Sequence, residues 1–296
     1  MSDELLLDRR VLRRSFEQAA ATYDRAAVLQ NEVCQRMLAR LDYIKLEPVA
    51  ILDAGSGTGN AIAGLLARYP RARVTALDLA LAMARRARGR RPWWRGLFDW
   101  RGARLATVCG DIERLPLAGG SADMVWSNLA LQWVNEPQGA FAEMHRVLKP
   151  GGLLMFSTFG PDTLRELRAA CRGTDRHTHV HRFIDMHDLG DALVHCGFAD
   201  PVMDMEIVTL NYGDVRELMR DLKAIGAHNL TRGRPGALTG KSLFAKVAQG
   251  YEAFRRDGRL PATFEVIYGH GWKLAGHRLP AGVKPVKVHL PQREGR

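Results

Sequence analysis

A doubly wound, mostly parallel α/β sheet is the fold class predicted by this chain of 296 residues. Three observations predict it. The apolar run Val49-Ala-Ile-Leu52 leads into Asp53 and then into a G-x-G-x-G turn made by Gly55, Gly57 and Gly59. A buried parallel strand reads as such a continuous run, and glycine serves where backbone turns with positive φ or another molecule comes close. A second apolar run, Arg73 to Leu77, ends in another carboxylate, Asp78, about twenty residues past the glycines. Beyond these, strand-like and helix-like segments alternate. That alternation predicts right-handed crossovers and ligands at the carboxyl ends of the strands.

The elements follow in order. Leu5 to Leu41 reads as helical and forms an N-terminal cap (1–45) carrying Tyr23. Asn60 to Arg68 is the helix after the glycine turn. Leu79 to Arg88 is the helix after Asp78, whose carboxylate suits both vicinal hydroxyls and a helix N-cap. Leu105 to Val108 is a third strand, ending at Gly110-Asp111-Ile112, and Ala122 to Ser127 a fourth, ending at Asn128-Leu129. Lys149-Pro-Gly-Gly152 turns into the fifth, Leu153 to Phe156. The alternation then changes. Pro161 to Ala170 is a helix with an early Pro and Asp. Helix Met186 to Cys196, strand Val202 to Leu210, helices Val215 to Ile225 and Thr239 to Arg256, and strand Ala262 to Tyr268 complete the set. The sheet thus has seven strands in one domain, 46–268, with C-terminal insertion helices. An Arg- and Trp-rich insertion occupies 88–104, and 269–296 reads as a frayed basic tail.

The glycine spacing narrows the ligand. G-x-G-x-x-G seats a pyrophosphate on a helix N-terminus; the tighter spacing suits a ligand without phosphate whose amino-acid part passes close over the backbone. S-adenosylmethionine (SAM) is such a ligand, and this motif resembles that of class I SAM-dependent methyltransferases. The expected cofactor contacts are Asp53, Gly55, Gly57 and Gly59, then Asp78, Leu79 and Met83, then Asp111, Ile112 and Asn128. Asp111 resembles the group that takes the adenine amino hydrogen, with Ile112 on the ring. Tyr23 is expected to close over the methionine end.

Composition sets outer limits. A hydrophobic content of 46% supplies a full core. No apolar run approaches the ~20 residues of a membrane span. The segment from Met1 to Arg10 has no basic region before its short apolar run and does not read as a secretory signal. Cys34, Cys109, Cys171 and Cys196 form no C-x-x-C pair and read as buried, reduced thiols of a cytoplasmic protein. His177, His179 and His181 alternate, but no second ligand cluster completes a site, so no metal is expected. The net charge of +11 attracts polyanions. Trp93, Trp94, Phe98 and Trp100 interleave with arginines, a mix that stacks on single-stranded nucleic acid. The insertion lies away from the methyl site, and Asn128-Leu-Ala-Leu stands where an Asn/Asp-Pro-Pro-aromatic motif would serve exocyclic amines. No nucleic-acid partner is expected.

Longer stretches resemble one family, the biotin-pathway methyltransferases that O-methylate the free carboxyl of malonyl-acyl carrier protein. They are Gly110-Asp-Ile-Glu-Arg-Leu-Pro-Leu117, Trp126-Ser-Asn-Leu-Ala-Leu-Gln-Trp133, Phe156 to Leu167, His181-Arg-Phe183, Leu222 to Leu230, Thr231-Arg-Gly-Arg234 and Leu238-Thr-Gly240. The resemblance runs from about Phe16 to Tyr268; the stretches Trp126–Trp133 and Lys223–Arg234 are its most specific parts. It implies methyl transfer to a carboxylate already ionised at neutral pH, which needs alignment and a dry pocket but no general base. On this reading Arg182 anchors the carboxylate oxygen that does not attack, and Trp133 and Phe183 line the pocket. Arg220, Lys223, Arg232, Arg234 and Lys241 would steer an acidic acyl carrier protein and hold its phosphopantetheine phosphate. Two other readings share the SAM motifs. A methyltransferase of a free small acid or quinone precursor would not need the basic C-terminal region. A SAM-binding protein-arginine hydroxylase that assembles a respiratory complex is mitochondrial, and the chain starts without an amphipathic, acid-poor leader.

Overall fold

Seven strands share one sheet: β1 (Ala50–Ala54), β2 (Arg73–Asp78), β3 (Leu105–Cys109), β4 (Ala122–Asn128), β5 (Leu148–Phe159), β6 (Phe198–Tyr212) and β7 (Leu260–Lys273). The computed structural model describes residues 6–90, 104–174, 179–227, 229–233 and 240–275. Trp93, Trp94, Phe98 and Trp100 of the insertion, His177, Arg234 and the tail from 276 lie outside the described residues. The strand order is β3-β2-β1-β4-β5-β7-β6. The first five strands pair in parallel, and β7 runs antiparallel between β5 and β6. The order reverses between β1 and β4, which opens a crevice at their carboxyl ends.

The central strands are buried on both faces, and their alternation divides the core in two. Ile51, Val74, Met124, Trp126 and Met155 face one apolar cluster; Leu52, Leu77, Val125, Leu154 and Phe156 face the other. Register keeps the faces matched, with Ile51 beside Met124 and Leu52 beside Val125. Around the sheet lie α4 (Ile62–Arg68), α5 (Leu81–Gly89), α6 (Pro137–Val147), α7 (Arg165–Cys171) and α8 (Met186–His195). Helices α9 (Val215–Ala224) and α10 (Lys241–Glu252) are inserted between β6 and β7.

The stretch expected as helical, Leu5 to Leu41, divides into separate helices. It forms α1 (Arg9–Ala19), a single turn α2 (Tyr23–Ala26) and α3 (Val28–Arg40). Asp8 caps α1, accepting from the Arg10 and Val11 amides at 3.0 and 3.2 Å. The Thr22 hydroxyl donates to Ala19 O at 3.2 Å and to Ala224 O at 2.9 Å, competing with the helical ladder and tying the break to the end of α9. Further ties join this cap to the loop after α9. Asp8 N donates to Leu230 O at 3.0 Å and Arg232 N to Leu6 O at 2.8 Å. Ser15 Oγ donates to Gly226 O at 3.1 Å.

The last strand also corrects an expectation. β7 continues to Lys273, past the Gly269 boundary of the expected tail. Gly269 is not a turn signal. A Cβ there would lie 2.4 Å from the Phe156 ring and 2.8 Å from Met203 Sδ, so glycine marks a close approach inside the sheet.

Candidate active site

The turn after β1 is pinned from β2: Leu77 O accepts from Gly55 N at 2.8 Å and Ser56 N at 2.9 Å. Gly55, Gly57 and Gly59 have φ of +80°, +54° and +85°, the left-handed region that favours glycine. Their surroundings separate their roles. A Cβ on Gly55 would stand 2.3 Å from Ala130 Cβ, and one on Gly59 would stand 2.5 Å from Ile62 Cδ1 and 3.1 Å from Ala87. At Gly57 it would meet only the Tyr23 ring, at 3.8 Å. Gly57 is the open cradle. Gly59, expected at the cofactor, lies outside the cleft wall and packs against α4 and α5 instead.

Two carboxylates face the cleft. Asp53, at the end of β1, is 2% exposed, and its Oδ2 has no hydrogen-bond partner among the described residues. Burial, with the nearby charge of Asp78, pushes its pKa up to about 8. Asp78 Oδ2 accepts from Gly57 N at 2.9 Å and its Oδ1 from Ala80 N at 2.8 Å. Burial raises Asp78 to about 6, against the lowering effect of those two amides. Its oxygens keep lone pairs for vicinal hydroxyls. The expected N-cap role passes elsewhere. The amides of Leu81 and Ala82, which start α5, donate to Glu17 of α1 at 2.6 and 2.9 Å. Glu17 therefore ties the cap to the cofactor-side helix.

The cleft spans about 870 Å³, counting the solvent at its opening. Leu79, Met83 and Ile112 line it, and Tyr23 lies over Gly57. Burial first, then Asp78 and Asp24, raise the Tyr23 pKa, so its hydroxyl keeps its proton. Asp111 is engaged from the cap: Arg9 pairs with both Asp111 and Glu113, and Asp111 Oδ1 accepts from Glu113 N at 2.9 Å. Asn128 lines the cleft, but its amide is committed to the protein. Its Nδ2 donates to Gln30 O at 3.1 Å and its Oδ1 accepts from Ser157 Oγ at 2.9 Å. The cleft fits SAM on these observations. An orphaned buried carboxylate oxygen answers an ammonium, a Cβ-free cradle admits the amino-acid part, and two acids balance a sulfonium.

A second cavity of about 1740 Å³, including its open mouth, adjoins the first. Gln30 of α3 and Trp133, in the short turn after β4, stand in the walls of both. The Trp133 ring meets Phe16 edge-on at 5.3 Å and His181 at 5.1 Å. Phe183 lines this cavity as expected of it, its ring 5.2 Å from His181. Arg182 does not. Burial alternates along 181–183: His181 and Phe183 are buried in the cavity wall, and Arg182 is exposed and outside it. The expected carboxylate anchor is thus misplaced. No lysine or arginine stands among the described residues of this wall.

Of the residues expected to bind the carrier, Arg220 and Lys223 are exposed on α9, beside the likewise exposed Arg216. Met219 and Leu222 of the same helix, and Ile225 just past its end, line the second cavity. Arg232 is exposed in the loop that holds the cap, and Lys241 begins α10. Among the described residues, no group of His, Cys, Asp or Glu is arranged to hold a metal, and no helix is long and apolar enough to cross a membrane.

The strand order, the glycine cradle and the paired acids define a class I SAM-dependent methyltransferase. Residues 52–156 match the methyltransferase domain family. The chain is 56% identical to the malonyl-[acyl-carrier protein] O-methyltransferase of Gallionella capsiferriformans, over 92% of this chain and 93% of that protein. It is likewise 56% identical to the enzyme of that name from Methylovorus sp., over 97% and 96%. The match to the Legionella pneumophila protein of that name is 36%, over 92% and 93%. The chain belongs to the malonyl-[acyl-carrier protein] O-methyltransferase family. Among solved structures, the YcgJ protein of Bacillus subtilis shares the fold, with a TM-score of 0.56 at 14% identity, over 82% of this chain and all of that one (100%).

Proposed function

We propose that this protein transfers the methyl group of SAM to the free carboxylate of a malonyl thioester carried on acyl carrier protein, giving the methyl ester that starts the pimeloyl part of biotin. The observation that carries the reading is 56% identity over 92% of the chain to a relative of that name. The site suits the chemistry. SAM in the first cavity would present its methyl toward Gln30 and Trp133, which the second cavity shares. A carboxylate has no proton to lose at neutral pH, so attack needs alignment and exclusion of water. The second cavity gives room for a thioester on a flexible arm. The exposed Arg216, Arg220 and Lys223 of α9, a helix that contributes to its wall, would steer an acidic carrier protein. A cytoplasmic location is part of the proposal and accords with four free cysteines.

Intact-mass analysis of malonyl-acyl carrier protein incubated with SAM and purified protein tests this directly, with malonyl-coenzyme A in parallel. Gain of one methylene on the carrier-bound substrate supports the proposal. Methylation of neither substrate, with SAM still bound, rejects it; equal rates on both would favour a small-acid substrate.

A further inference from the structure

On the proposed function a carboxylate is held in the second cavity, yet the described wall has no lysine or arginine. Charge bookkeeping explains why none is needed. In the transfer, a carboxylate oxygen lone pair forms the O–CH₃ bond as the C–S bond breaks, and the bonding pair goes to sulfur. Carboxylate and sulfonium both become neutral, and no proton moves. A guanidinium on the carboxylate would stabilise the charged ground state more than the neutralising transition state. A neutral donor orients the nucleophile with less of that penalty.

Gln30 has the required position. It is 8% exposed and stands in the walls of both cavities, so it lies where methyl and acceptor meet. Its side-chain oxygen has no hydrogen-bond partner among the described residues. A buried amide left so is costly unless a ligand completes it. Its backbone is fixed: Gln30 O accepts from Asn128 Nδ2 at 3.1 Å, and Asn128 is fixed in turn by Ser157 at 2.9 Å. Two other polar side chains of the second cavity are committed. Gln132 Nε2 donates to Leu129 O at 2.6 Å and Thr163 Oγ1 to Glu265 O at 3.1 Å. His179 and Asn229 have partners of their own.

We propose that the Gln30 carboxamide is the catalytic contact to the acceptor carboxylate. Its nitrogen donates to the oxygen that does not attack, leaving the other free for the methyl. Its carbonyl oxygen faces the partial positive charge of the sulfonium methyl, a weak C–H···O contact. This assignment rests on the function proposed above.

The test compares wild type, Gln30→Leu and Gln30→Glu, with malonyl-acyl carrier protein as acceptor and S-adenosylhomocysteine binding measured separately. Gln30→Leu is expected to lose on the order of 10²-fold in kcat, the usual cost of one preorganised donor, while binding S-adenosylhomocysteine within about threefold of wild type. Gln30→Glu places a second carboxylate beside the first. Its activity relative to wild type should be low at pH 8 and recover toward pH 6, because protonated Glu is an isosteric donor. Taking the ratio removes effects common to both proteins, those of the neighbouring Asp53, Asp78, Tyr23 and His181. A Gln30→Leu enzyme with near wild-type kcat overturns the assignment. So does a flat Gln30→Glu ratio, which decides the matter even if the Leu variant fails to fold. If wild type itself methylates no malonyl-acyl carrier protein, the proposed function fails and this contact falls with it.

Discussion

Binding of SAM should release close to one proton near pH 7, and the source is Asp53. In the ligand-free protein its carboxyl is buried beside Asp78, with one oxygen unpartnered and a pKa of about 8. At pH 7 a group of that pKa is about 0.9 protonated. The ammonium of bound SAM supplies the missing countercharge, which favours the ionised form and drives the proton off. The free cofactor's α-amine, with an ordinary pKa of 7.7–8.0, takes up about a tenth of a proton when it binds as ammonium. The net release is therefore roughly 0.8 proton. Calorimetric titration of S-adenosylhomocysteine in buffers of differing ionisation enthalpy reads this number as a slope. Asp53→Asn should bring the slope near zero or slightly to the uptake side, and should weaken binding. A wild-type slope of zero would refute the reasoning, because Asp53 would then be ionised before the ligand arrives.

The same acid carries a stability prediction. Its folded pKa lies above the ordinary 3.8, so the folded protein binds the extra proton and ligand-free stability falls as pH rises from about 4 to about 8. Asp53→Asn should raise Tm at pH 8 by removing that loss, and by little at pH 4. Gly55→Ala should destabilise the fold by several kcal/mol, through a 2.3 Å approach to Ala130 at φ +80°, and lower Tm without ligand. Gly57→Ala meets nothing closer than 3.8 Å and should fold, but it should lose SAM affinity by tenfold or more, about 1.4 kcal/mol, in the same titration. Glu17→Gln weakens the tie to the start of α5 and should cost about 1 kcal/mol of stability or cofactor affinity, read by Tm and Kd. Charge reversal of Arg220 and Lys223 should raise KM for malonyl-acyl carrier protein about tenfold and flatten its salt dependence, with malonyl-coenzyme A little affected.

The sheet and the cofactor side were legible because their signals are local. The apolar run into Asp53, the glycine spacing and the run into Asp78 each occupy a few consecutive residues. The misreadings came from context. Gly269 looks like a turn, yet it is a strand position pressed on Phe156. Arg182 sits between two residues that line the cavity, and it is exposed while both of them are buried. The cap was legible as helical, but the position of its break is fixed by Thr22 and the end of α9, far along the chain. Arg9, Glu17 and Gln30 were missed because their partners lie far along the chain. Gln30 did carry a signal. It falls with Val33, Cys34 and Met37 on the buried face of α3, where a polar residue is out of place unless it serves a site.

Intact mass cannot distinguish O-methylation of the malonyl carboxylate from methylation of its central carbon. The most direct measurement is therefore to use SAM labelled in the methyl group, isolate the methylated carrier-bound product, and hydrolyse its ester bonds. The two-cavity account predicts that one equivalent of labelled methanol is released for each methyl transferred. Label that stays on the malonyl carbon skeleton, or on the carrier protein itself, would contradict it.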